Sequence, residues 1–191
     1  PQEVIDRVKN DIHENAQNKI QLIEEIKNDN VLNELNLLFN QGVEIVNPTD
    51  LSGALKGRQN IYNHLDMLVR EAQSTITLVT TADGLNRKLE VLLPSLEKAK
   101  KRGVVIRIAA PITEGNKKVA KDLSKVAEIR DVAGLRARFL VIDGEQLMFM
   151  LLNDEEVHPT YDVGVWLNTQ FFAQALEQLF EIAWKGFKPL K

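Results

Sequence analysis

Near its start the chain places apolar residues at Ile5, Val8, Ile12, Ala16, Ile20, Ile23 and Ile26, with Asp, Glu, Lys, Asn and Gln filling most positions between them. Steps of three or four residues, averaging ~3.5, form the seam of a coiled coil over about three heptads. The spacing predicts one long amphipathic helix. A helix packed on its own domain has the same periodicity, but the polarity outside the seam leans toward a partner helix, so the expectation is a homodimer through these seven residues. Asn28, Asp29 and Asn30 favour a turn or cap after it. A second apolar segment, Val31 to Phe39, then leads through Gln41 and Gly42 to the rest of the chain.

Pro48, Gly53 and Gly57 punctuate the entry to a region where helix and strand patterns alternate. Ile61, Leu65, Leu68 and Val69 mark one face of a helix that ends before Ser74, and Ile76 to Thr81 reads as a buried strand. Leu85, Leu89, Leu92, Leu93 and Leu96 mark the next helix, which closes on Lys98, Lys100, Lys101 and Arg102, where cations favour the helix dipole. Val104 to Ala110 is a second strand and Lys117 to Val126 a short basic helix. Glu128 to Val132, Arg138 to Ile142 and Leu147 to Leu152 are three more strands, the last two joined at Asp143-Gly144, a strong hairpin signal. Val163 to Leu167 is a sixth strand, and Phe171 to Trp184 a closing helix apolar over most of one side. Helices alternating with a mixed sheet predict an α/β sandwich. The domains follow: a helical dimerisation segment over residues 1–40 and a globular α/β domain over 41–191.

The stretch Arg136 to Asn153 brings in chemistry. Arg136 and Arg138 flank one residue, Asp143 follows four residues later, and six more lead to Met150, Leu151, Leu152 and Asn153. This resembles the phospholipase D superfamily pattern His-x-Lys-x4-Asp-x6-Gly-Ser-x-Asn, in which the His is the nucleophile and the Lys and Asn hold the phosphate. Only Asp143 and Asn153 match. Arg136 stands at the His position, Arg138 at the Lys position, and Met150-Leu151 at the Gly-Ser pair. A guanidinium stays protonated at physiological pH, so Arg136 can neither attack phosphorus nor shuttle a proton. Motif order, the Arg102-Gly103-Val104 strand entry and the closing strand and helix look like one phospholipase D-like domain of the kind found in the TrmB family of archaeal transcriptional regulators. The resemblance runs from about Leu51 to Phe187. It implies a winged-helix DNA-binding domain upstream of Pro1, a helical dimerisation segment, and a catalytically inactive phospholipase D-like effector or assembly module. The alternative is a phospholipase D-type phosphodiesterase or nuclease.

Ligands of open α/β sheets collect beyond the C-terminal ends of parallel strands, here the loops Thr80 to Gly84 and Ala110 to Gly115. With the motif residues, this gives a candidate pocket of Thr81, Arg136, Arg138, Asp143 and Asn153, suited to a small anionic effector through bidentate hydrogen bonds. Pairing of Arg136 and Arg138 with Asp83, Glu114 or Asp143 is the structural alternative, and both stay open. His13, His64 and His158 are too dispersed for a metal site, and Asp154-Glu155-Glu156 reads as a solvated loop face. No metal or cofactor is implied. The formal net charge of -3 in a chain 27% charged argues against direct DNA binding, which is left to the upstream domain. No apolar run reaches the ~20 residues of a membrane span, and the absence of cysteine fits a reducing, cytoplasmic setting.

Overall fold

The computed structural model describes residues 2–27 and 48–190. The chain divides into two units, Pro1–Val46 and Asn47–Lys191. The first holds α1 (Gln2–Lys27), one uninterrupted helix as the seam predicts, with Ile5, Val8, Ile12 and Ile20 exposed on it. The turn at Asn28 to Asn30, the apolar segment Val31 to Phe39 and the expected boundary at residue 40 lie outside the described residues, as do the side chains of Ile23 and Ile26.

The second unit runs α2 (Pro48–Leu51), β1 (Ser52–Lys56), α3 (Arg58–Glu71), β2 (Thr75–Val79), α4 (Ala82–Lys101), β3 (Val105–Ala110), α5 (Lys117–Leu123), β4 (Glu128–Asp131), β5 (Phe139–Ile142), β6 (Gln146–Met150), β7 (Val163–Asn168), α6 (Gln170–Trp184) and β8 (Lys188–Pro189). One mixed eight-stranded sheet results, in the order β1-β7-β6-β5-β2-β3-β4-β8. Strands β2, β3 and β4 pair in parallel through helical crossovers, and every other pairing is antiparallel. The alternation of β2 explains its layers: Ile76 and Leu78 join the core under α3, α4 and α5, while Val79 faces α6 with Phe180 and Trp184. Burying such side chains contributes roughly 1.5–3 kcal/mol each, so the helices are held chiefly by their apolar faces.

Two strands escaped the sequence reading. β1 is short and half-exposed, and its Gly53 looked like a break. Gly53 pairs with Trp166 across the sheet, and a Cβ there would lie 2.6 Å from the indole Nε1, so the glycine serves close approach rather than termination. β8 pairs only two residues with the edge strand β4, too few for a pattern. The expected helix Lys117 to Val126 stops at Leu123, where the N–H groups of Val126 and Ala127 fold back on the Leu123 carbonyl.

Asp143 falls at the hairpin between β5 and β6 with φ 55, followed by Gly144 with φ 66, and the Glu145 N–H closes the turn on the Ile142 carbonyl at 2.9 Å. Positive φ at both central residues gives the primed turn that matches strand twist. Its carboxylate accepts the N–H groups of Gln73, Ser74 and Thr75 at 2.7 to 2.8 Å and the Ser74 hydroxyl at 2.9 Å. Burial would raise its pKa, but these donors outweigh that and hold it below the usual carboxylate range. A depressed folded pKa means the stabilisation is present above the unfolded pKa of ~3.9 and is lost as pH falls through the folded value. Asp143→Ala should therefore lose about 2–3 kcal/mol of stability near neutral pH and show a shallower decline below pH ~4 than the native chain. Urea titrations at several pH values check this, and an unchanged midpoint in the variant would contradict it.

Candidate functional site

The C-terminal ends of β2 and β3 meet the N-terminal ends of β5 and β7 at one rim of the sheet, where a cleft of about 500 Å³ opens. Thr81, Arg136, Arg138 and Asn153, four of the five residues expected there, line it together with Leu135, Leu151, Glu155 and Glu156. Asp143 does not. It lies at the other end of β5 because four residues of extended strand separate it from Arg138, and its acceptors are spent on the segment Gln73 to Thr75.

Each of the four residues has a definite chemical state. Thr81 caps α4: its hydroxyl accepts the Gly84 N–H at 3.0 Å and donates to Asp154 at 2.9 Å. Asn153 turns into its own loop, donating to Glu156 at 2.8 Å and accepting the Glu155 N–H at 3.3 Å. Arg136 is exposed on the rim and makes no ion pair among the described residues. Arg138 is buried, with a bidentate pair to Asp162 at 3.1 and 2.9 Å and a bond to the Leu152 carbonyl at 2.7 Å. Its partners are thus Asp162 and, at 3.7 Å, Asp154, not Asp83, Glu114 or Asp143.

Behind the cleft floor this pair extends into a charge cluster. Arg58, at the first turn of α3, donates to Asp162 at 3.1 Å and to the carbonyls of Asp154 and Val157 at 3.2 and 3.3 Å. Arg87 binds the Asp154 carboxylate. Lys88, 2% exposed, donates to the Thr80 hydroxyl at 2.8 Å and sits 5.6 Å from the centre of the Tyr62 ring. Burial would raise the pKa of both carboxylates, but Asp154 is held low by Arg138, Thr81, Lys88 and Arg87, and Asp162 by Arg138 and Arg58. Burial and the Arg138 charge push Lys88 down to about 7. Gly84 is required where α4 meets this cluster, since a Cβ would clash with the Thr80 and Thr81 hydroxyls.

Asp154 is the main correction: the loop Asp154 to Glu156 read as solvated, yet Asp154 is buried and two guanidiniums and a hydroxyl converge on it. Lys88 carried a signal, a cation within the stripe Leu85, Leu92, Leu96. Arg87, beside it, and Asp162, lying just before a strand, carried none, and Arg58 looked only like a helix opener. No histidine lines the cleft: His158 accepts the Thr160 N–H at 3.3 Å in a turn, and His64 lies 6.0 Å from Trp166.

Neither a protein-family model nor a curated protein sequence matches the chain. Solved structures do match in fold. TrmBL2, an archaeal chromatin protein with a novel mode of DNA binding, aligns over 98% of this chain and 70% of its own at 19% identity, with a TM-score of 0.58. The phospholipase D family member Nuc from Salmonella typhimurium aligns over 72% of this chain and 97% of its own at 12% identity and TM-score 0.55. NucT from Helicobacter pylori aligns over 72% and 98% at 11% identity and TM-score 0.56. The globular unit therefore has the phospholipase D-like fold.

The Lys88 ammonium gives a pH signature. In the unfolded chain Lys88 keeps its proton to pH ~10.4, whereas in the fold it gives it up near 7. Between those values the unfolded state binds more protons, so this group makes stability rise with pH, by up to about 1.4 kcal/mol per unit, and adds no slope below. Lys88→Met should remove the rise between pH 7 and 9, measured by urea unfolding; an identical slope in the variant would refute the assignment. Arg138→Ala, which takes from the buried Asp162 its bidentate partner and leaves it Arg58 alone, should lose about 3 kcal/mol in the same urea titrations.

Proposed function

We propose that this chain is a non-catalytic regulatory and dimerisation module of a TrmB-like transcriptional regulator, with DNA contacted by an upstream winged-helix domain. The observation that carries the reading is the Arg138–Asp162 pair. Arg138 is the residue the motif would use to hold a phosphate, and the chain's own Asp162 already engages both its terminal nitrogens, with Asp154 as a more distant ion pair. A substrate phosphate would have to displace a buried, bidentate, charge-assisted pair. Arg136 at the nucleophile position supports the same reading, since it cannot accept a proton.

The extent of the likenesses adds support. The match with TrmBL2 takes in 98% of the chain and so includes α1, whereas the phospholipase D family member Nuc covers 72%. On α1, Ile5, Val8, Ile12 and Ile20 are between 53% and 65% exposed, a stripe that a second copy of the helix would bury with roughly 1–2 kcal/mol per residue. Arg136 on the rim is the cation left to recognise an anionic effector, which acts only through different affinity for two arrangements of the dimer.

Ile12→Asp with Ile20→Asp should give monomers in sedimentation; a dimer of unchanged stability in that variant would sink the α1 half. A chromogenic phosphodiester and a nucleic-acid substrate, assayed from pH 5 to 8, should show no turnover, and turnover abolished by Arg136→Ala would restore the enzyme reading. Because Arg138 is structural, Arg136→Ala is the clean effector variant: it should keep the fold and operator affinity of the full-length protein while losing the response to an anionic metabolite.

A further inference from the structure

Helix α6 has two apolar sides. Ala173, Phe180 and Trp184 bury against the sheet. On the opposite side Phe171, Ala175, Leu179 and Ile182 follow one another at steps of four, four and three, a single stripe one face wide. Phe171 is 88% exposed, Leu179 63% and Ile182 72%. Phe172, beside them, reaches over Phe149 of β6 at 6.1 Å between ring centres. With roughly 150–250 Å² in an aromatic side chain, these four residues leave on the order of 500 Å² of apolar surface open, as large as the biggest patch of a typical monomer and over half of the ~800 Å² that one partner gives a stable interface.

Charge narrows the occupant. The chain is 27% Asp, Glu, Lys and Arg, yet the exposed polar residues along this stripe are the neutral amides Gln174 and Gln178, with one charge, Lys185, at its C-terminal end. A nucleic acid would find a single cation here, too few to neutralise its phosphates. A second copy would find an apolar surface, uncharged along most of its length, with amides able to pair across a two-fold axis. The α1 seam, on the reading proposed above, keeps that second copy at an effective concentration of order millimolar.

We propose that the α6 stripe is an isologous contact between the globular units of two copies, α6 packed antiparallel on α6 with the axis near Gln178. The contact takes its second copy from the α1 reading, but its residues and its test are its own.

The absence of cysteine makes the test direct. In Gln178→Cys chains the two thiols face each other across the axis, within the ~4.4–6.8 Å Cα separation a disulfide needs. Mild oxidation should link most of the protein into dimers, at least about tenfold faster than a Lys121→Cys control reacting by collision, and Ile182→Glu added to Gln178→Cys should bring the rate down to the control. Linking no faster than Lys121→Cys overturns the contact, as does preferential linking of Gln178→Cys to Ala16→Cys in a mixture, which would put α1 on this face instead. Ala16→Cys alone reports the seam: linking there without linking at Gln178 removes only the α6 contact, and the converse removes only the α1 reading.

Discussion

The bidentate pair between Arg138 and Asp162 is the interaction on which the rim of the sheet depends. Arg138 enters β5 and Asp162 enters β7, with β6 between them, so the pair closes three strand ends at once. Asp162 is committed through its backbone as well: its carbonyl accepts the Gly57 N–H at 2.8 Å, which brings in the β1–α3 junction, and Arg58 then reaches its carboxylate. Two charges taken out of water cost several kcal/mol each unless every donor and acceptor is matched. Here the buried Arg138, Asp154 and Asp162 are matched in large part, with the half-buried Arg58 and Arg87 closing the cluster toward solvent and Arg87 Nε, Arg138 Nε and Asp154 Oδ1 left without a hydrogen bond among the described residues, and the loop after β6 is shaped by it through the Leu152, Asp154 and Val157 carbonyls.

Charge balance within that cluster explains Lys88. Arg58, Arg87 and Arg138 already outnumber Asp154 and Asp162, and a guanidinium does not release its proton. A fourth cation, fully buried, adds repulsion without a carboxylate of its own, and its one hydrogen-bond partner is the neutral Thr80 hydroxyl. The ammonium is the only basic group there able to shed charge, so the imbalance falls on it. Its pKa near 7 follows first from burial and then from the excess of cations, Arg138 foremost.

Much of the fold was legible in the chain because β-branched runs and leucine stripes carry periodicity. Ile76 to Thr81 and Val104 to Ala110 emerged as neighbouring parallel strands, and the helix stripe from Leu85 to Leu96 as the crossover between them. Elements without a period were missed: β1 hid behind a glycine whose reason is Trp166, on the strand paired with it but far along the chain. The site was half legible. Spacing placed Thr81, Arg136, Arg138 and Asn153 on one cleft, since loops at one end of a sheet converge. It misplaced Asp143, because a strand of four residues carries its two ends to opposite rims. Asp154 and Asp162 were illegible for a deeper reason: a carboxylate in a polar loop looks solvated until the guanidiniums that surround it, here from α3, α4 and β5, are brought there by the fold.

The geometry ties the cleft to the cluster through a single loop. Asn153, Glu155 and Glu156 form part of the cleft wall, while Asp154 between them is held from behind by Arg87, Arg138 and Thr81. Asp154 is flanked on both sides by wall residues, so a ligand engaging the wall cannot shift Asn153 or Glu155 far without moving the carboxylate between them. Moving that carboxylate changes the field at Lys88, whose protonation Asp154 favours. On the regulatory reading, an anion at Arg136 would therefore be sensed less by its own contact energy than by what it does to a buried set of charges that is already one cation over balance.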